Sequence, residues 1–355
     1  MHRLRTVRTW VAPLVLVVLA AACGSDDDAD GDVATARGTG STDPAAVTIA
    51  VTTSVLGDVV TELVGDLGEV VTIMPPGANP HGFQASARQA AALADADVIV
   101  VNGGGFEEGL LSVVEGAESD GVPVLDAVEL LGGGEGDDHG DEGDDHGDEG
   151  DDHADDEGDD HGDEGDDHGD EGDDHAHDGD AHFFTDPIAV AEVVDALADQ
   201  LPAEVPGIDA AQLRSQADDL VAELEALDAE LRETLVDIPE DQRVLVTDHD
   251  VLGSFADRYD FEVIATVIPS GSTSDGVSGG ALAELAQLLR DTGVPAVFTE
   301  ETAAGGLSET LATEAGDVEV VALYAESLGP EDSEAATYAA MMRTNAERIA
   351  DALAG

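Results

Sequence analysis

The sequence predicts an α/β protein of two lobes joined by one long helix, and three observations carry that expectation. Short runs such as "VIVV" (98–101) and "AVFTE" (296–300) are almost wholly apolar, as strands covered on both faces of a sheet are. Each is followed by a segment whose apolar residues recur at helical spacing, so strands and helices alternate as in parallel sheets with crossover helices. Between the two alternating stretches, from about residue 209 to 237, Leu213, Ala217, Leu220, Leu224, Leu227, Leu231 and Leu235 recur every three or four positions, one apolar stripe along one helix.

The elements follow in order. Arg3, Arg5 and Arg8 precede an apolar run too short to span a bilayer, so residues 1–22 read as an export signal. Cys23 is the only cysteine, which excludes an intramolecular disulfide, and "AAAC" is similar to a bacterial lipoprotein cleavage box with Ala20 in place of the usual leucine. A lipidated Cys23 would anchor the chain at the outer face of the cell membrane through several acyl chains, and residues 23–45 read as a polar tether. The first lobe, 46–134, holds the strand and helix of "AVTIAVTTSVLGDVVTELVG", then "VVTIM", "ADVIVVNGGG" and "VPVLDAVELL". It is completed over 182–208 by the helix "DPIAVAEVVDALADQLP", with Pro187 in its first turn. After the long helix, residues 238–355 repeat the pattern from "RVLVTDHDVLGSFADRY" to a terminal helix in "YAAMMRTNAERIADAL". Two Rossmann-like lobes result, with the ligand expected in the cleft between them, where polar groups converge at the carboxyl ends of parallel strands.

Charge narrows the partners. The chain has 81 acidic and 12 basic residues, a formal charge of −69, and every basic residue is an arginine. Nucleic acid and anionic membrane surfaces, which need clustered Lys and Arg, are poor partners, and cations are natural ones. Nearly a third of the acids lie in residues 135–181, a tract without Val, Leu, Ile, Lys or Arg, whose unit is Gly, acid, acid, Gly, acid, acid, His. A coiled coil needs two apolar positions per seven residues, so the tract reads as a solvated, disordered loop. An inert acidic spacer accounts for its carboxylates. His139, His146, His153, His161, His168, His175 and His177 go beyond that and suit weak, auxiliary binding of transition metals.

Outside the signal and the tract only three of the eleven histidines remain, His81 in "MPPGANPHGFQAS", His182 in "DAHFFTDP" and His249 in "VLVTDHDVLGSF", each expected at a strand end. These segments, with "ADVIVVNGGGFE" and "ALYAESLG", resemble in order and spacing the solute-binding lipoproteins of zinc and manganese ABC importers over about residues 46–355. The resemblance implies two α/β lobes on a rigid linking helix, a single metal ion held between them, and a monomer that delivers it to a membrane permease and its ATPase. It places ligand roles on His81, His182, His249 and Glu326. The chain departs from the family's usual pattern at Asn79 and Glu326, where aspartate is common, and Asp248, Glu300 and Glu301 compete for the fourth position.

Three imidazoles and one carboxylate suit tetrahedral Zn²⁺, whereas Mn²⁺ takes more oxygen, so zinc is the expected cargo and manganese the alternative. A zinc hydrolase would need an open coordination position and a separate base; no HExxH, nucleophile elbow or P-loop occurs, and "NGGGFEEG" lacks the spacing of a phosphate cradle. A surface adhesin or passive metal buffer, served by the tract alone, is the third class. The tract is expected to gather zinc and hand it to His182 nearby.

Overall fold

The computed structural model describes residues 47–132, 180–268, 278–301, 306–316 and 318–354. The expected signal (1–22), Cys23, the tether and the histidines of the acidic tract lie outside the described residues.

The first sheet is built from β1 (Thr48–Val51), β2 (Glu69–Thr72), β3 (Val98–Val101) and β4 (Val124–Asp126). Helices α1 (Ser54–Val64), α2 (Ala87–Ala94), α3 (Leu111–Ser119), α4 (Ala127–Gly132) and α5 (Pro187–Glu204) accompany it. After the long helix α6 (Ala210–Leu235) come β5 (Val244–Thr247), α7 (Gly253–Tyr259), β6 (Glu262–Thr266) and α8 (Gly279–Thr292). The chain continues through β7 (Ala296–Glu300), α9 (Leu307–Ala315), β8 (Glu319–Leu323) and α10 (Tyr338–Leu353). All strand pairs are parallel, in the orders β2-β1-β3-β4 and β6-β5-β7-β8. The two lobes of parallel sheet expected from sequence are present, and the second repeats the strand order of the first.

Local chemistry explains the helix starts. Thr53, Ser86, Asp186, Asp209, Ser278 and Thr337 each accept a hydrogen bond from a first-turn amide. In α5, Asp186 caps and Pro187 follows where no amide donor is needed. In α6 the leucine stripe is buried along its whole length.

One difference from the sequence reading matters for the site. The lobes are joined by more than α6: α5 packs along it, and α10 returns from the second lobe to lie against α6 and α1. A single apolar cluster therefore runs from Val51 and Val98 in the first sheet through Leu197, Leu227 and Ile349 to Leu245 and Phe298 in the second. The Tyr338 amide donates to Asp58 and its hydroxyl to the Phe184 carbonyl, tying α10 to the first lobe. Among the described residues no helix is long and apolar enough to cross a membrane.

Candidate metal centre

All strands of each sheet run parallel, and loops leaving the carboxyl ends of β2, β5 and β8 contribute to the site. His81 comes from the loop between β2 and α2, stiffened by Pro75, Pro76 and Pro80. His249 follows β5 directly, and Glu326 follows β8. His182 departs from the expectation that each histidine marks a strand end. It lies on a turn leading into α5, and the Asn102 side chain, at the end of β3, holds that turn by donating to the Ala181 carbonyl (2.7 Å).

All four side chains are buried, between 0 and 6% exposed. They offer ligand atoms that all lie within 4.8 Å of one another. A tetrahedral zinc shell places its ligand atoms about 3.3 Å apart, so small side-chain shifts suffice. The imidazole centroids are 5.6 to 6.2 Å apart. His81 Nε2 is 2.6 Å from Glu326 Oε1. His249 Nε2 is 2.9 Å from the same oxygen without meeting hydrogen-bond geometry, and His182 Nε2 and Glu326 Oε2 are likewise buried without a partner. Buried polar atoms are ordinarily satisfied, so unpartnered ligand-type atoms converging at one point suit a cation.

Electrostatics agree. Burial alone would depress the His249 imidazole, but Asp248 and Glu326 beside it raise it to about 10. Burial alone would raise the Glu326 carboxyl, but His249 and His81 hold it down at about 2. The opposite charges of imidazole and carboxylate at close range favour the charged form of each.

Of the competing acids, Asp248 accepts from the His249 amide and lies 2.9 Å from His249 Nδ1, while its other oxygen accepts from Thr299 Oγ1 and the Glu300 amide. Glu300 accepts the Ala325 and Glu326 amides, holding the segment that presents Glu326. Glu301 is exposed and pairs with Arg348. None of the three belongs to the ligand cluster.

Sequence reasoning missed the role of "NGGGFEEG". Gly103 has φ 85°, and a Cβ there would overlap the Asp126 carboxylate, while a Cβ on Gly109 would overlap the Phe83 carbonyl in the His81 loop. The turn so formed carries Phe106, whose ring meets those of His81 and His182 edge-on at 5.5 and 5.3 Å and closes one wall of the site. It also carries Glu107, which accepts from Thr52 Oγ1 and the Asn102 and Gly103 amides; burial raises its carboxyl despite these bonds. The run of glycines was the signal available in the sequence.

Residues 49–352 match the profile of the family described as ZnuA, zinc-uptake complex component A, periplasmic. The chain belongs to the ZnuA family. It is therefore an extracytoplasmic metal-binding component of a metal-uptake system and not an enzyme. The manganese-binding lipoprotein MntA of Halalkalibacterium halodurans is 25% identical over 342 residues, covering 96% of both chains. The zinc-binding lipoprotein AdcA of Streptococcus pneumoniae is 26% identical over 297 residues, which span 81% of this chain and 52% of that one. The periplasmic zinc-binding protein TroA of Treponema pallidum superposes with a TM-score of 0.68 at 22% identity, over 87% of this chain and 99% of that one, a likeness of fold. Relatives named for zinc and for manganese both occur among the ZnuA-family proteins, so family membership leaves the metal to the chemistry of the donor set.

Proposed function

We propose that this ZnuA-family protein captures Zn²⁺ outside the cytoplasm and delivers it to the permease of an ABC importer powered by its ATPase. His81, His182, His249 and Glu326 hold the ion. The observation that carries this reading is the donor set itself, three imidazoles and one carboxylate, all buried, with ligand atoms inside a 4.8 Å cluster. A second carboxylate in place of one imidazole would favour the harder Mn²⁺ ion; this set favours Zn²⁺ in a closed tetrahedral shell. A closed shell leaves no position for a reactive water, as a carrier requires. Lipidated Cys23 anchors the chain at the outer face of the cell membrane, and the tract histidines supply weak auxiliary sites; the protein acts as a monomer.

Calorimetric titration with Zn²⁺ and Mn²⁺ tests the assignment. The parent chain is expected to show one tight zinc site and weaker manganese binding, and His81→Ala, His182→Ala and His249→Ala should each abolish the tight site. Tight zinc binding that survives any one of these changes removes that residue from the ligand set, and a preference for manganese overturns the zinc reading.

A further inference from the structure

Each of the three imidazoles has a carboxylate outside the ligand cluster on its Nδ1 side. His249 Nδ1 is hydrogen-bonded to Asp248 Oδ1 at 2.9 Å; His182 Nδ1 lies 3.7 Å from Asp180 Oδ1 and His81 Nδ1 3.6 Å from Glu108 Oε1, charge contacts too long for hydrogen bonds, and His81 Nδ1 has no hydrogen-bond partner. The Nε2 atoms are left for the centre: those of His81 and His249 approach Glu326 Oε1, and that of His182 is buried without a partner. The three acids come from different elements. Asp248 directly follows β5, Asp180 lies on the turn before α5, and Glu108 lies in the loop after β3.

We propose that Asp248, Asp180 and Glu108 are positioning residues that orient the three imidazoles with Nε2 toward the metal. The proposal rests on the zinc site described above. An imidazole that gives Nε2 to a cation carries its proton on Nδ1, and an acceptor there sets the tautomer, fixes the ring plane and makes the ligand nitrogen more basic. The strength of the three devices follows their anchoring. Asp248 is 6% exposed and is itself held by Thr299 Oγ1 (3.1 Å) and the Glu300 amide (2.9 Å), so its position is set by β7 before any ion arrives. Asp180 accepts the His182 amide at 2.8 Å and the Ser254 hydroxyl, on α7, at 2.5 Å, so the His182 turn is braced against the other lobe. Glu108 makes no hydrogen bond to His81 and its side chain is 45% exposed, so only a screened charge acts on that ring. The order of importance is therefore Asp248, then Asp180, then Glu108.

The test measures zinc dissociation constants of the full chain by chelator competition for Asp248→Asn, Asp180→Asn and Glu108→Gln, with His249→Ala as control. Asp248→Asn is expected to weaken zinc about 10- to 100-fold, the range of losses when a ligand's outer partner is removed, and Asp180→Asn less, about 3- to 10-fold, because its contact to the ring is longer at 3.7 Å. Glu108→Gln should change it by no more than about threefold. A strand-end cap with no part in orienting the ring would leave the imidazole untouched, so the Nδ1 proton of His249 in the zinc-loaded protein is followed by NMR and should move upfield in Asp248→Asn. If His249→Ala destroys binding while Asp248→Asn and Asp180→Asn bind like the parent with an unshifted proton, the positioning role is overturned and the zinc site stands. If His249→Ala binds like the parent, the zinc site itself is overturned. Should circular dichroism show Asp248→Asn unfolded, the decision passes to Asp180→Asn, for which parent-like affinity overturns the proposal.

Discussion

Glu326 is a glutamate with 2% exposure, and burial of that kind is rare for an ionised carboxylate unless it is paired. Its oxygen lies 2.6 Å from His81 Nε2 and 2.9 Å from His249 Nε2, so a cation held by these atoms competes with protons for the same nitrogens. Zinc affinity should accordingly fall as pH drops below about 10, the raised value of the His249 imidazole, because protons compete for the ligand nitrogen; titrations at pH 5 and 7.5 check this, and equal affinities would contradict the imidazole ligand set. Glu326→Gln keeps the shape and removes the charge. Loss of a charge-assisted contact worth about 1.5–3 kcal/mol should weaken zinc about 10- to 100-fold without unfolding the chain, read by calorimetry alongside thermal melts. The three histidines were legible in the sequence because so few lie outside the signal and the tract. The resemblance placed Glu326 with them, while the residues alone left Asp248, Glu300 and Glu301 as alternatives among 81 acids; the structure groups Glu326 with the three histidines and turns the Asp248 carboxylate to His249 Nδ1.

Helix α6 shows the same division between pattern and partner. Its leucine stripe is visible as spacing and is buried as spacing predicts, so Leu231→Ala, at 0% exposure, should cost about 2–5 kcal/mol in denaturant unfolding. Asp228 breaks that pattern, since it is 8% exposed on a helix whose other buried side chains are apolar. The reason is on another element: Arg258 of α7 donates to both of its oxygens at 2.8 and 2.9 Å, and Arg232 one turn along α6 donates at 3.1 Å. Burial pushes the Asp228 carboxyl up, but these two guanidinium groups outweigh it and hold the group below its ordinary 3.8. A carboxyl depressed by folding stabilises the folded state above its unfolded value and loses that contribution as pH falls below about 3.8. Asp228→Asn should therefore lower stability by about 1–3 kcal/mol at pH 7 and remove this part of the acid-induced loss, so that its melting temperature approaches that of the parent as pH falls toward 2.

For the whole molecule, α5, α6 and α10 bind both sheets into one apolar cluster, and the sequence of the acidic tract has no Val, Leu, Ile, Phe or Met to add to it. Deleting residues 135–178 should leave the fold and the single tight zinc site intact, since loop length has only a slow entropic effect on stability. It should remove several weak zinc equivalents and slow capture at low zinc, an effect that high salt diminishes in the parent. Loading rate and stoichiometry with and without the tract, at low and high salt, decide this; if neither changes, the tract is an acidic spacer. The sequence by itself determined the alternating parallel lobes, the long helix and the three candidate histidines, because hydrophobic period and the scarcity of a residue type are properties of the chain read locally. Only the tertiary structure decided which carboxylate joins them, which acids stand behind each imidazole, and that three helices unite the lobes. His81 and Glu326 are 245 positions apart, and whether two such side chains meet depends on how two sheets face each other across a shared core, which no local pattern encodes.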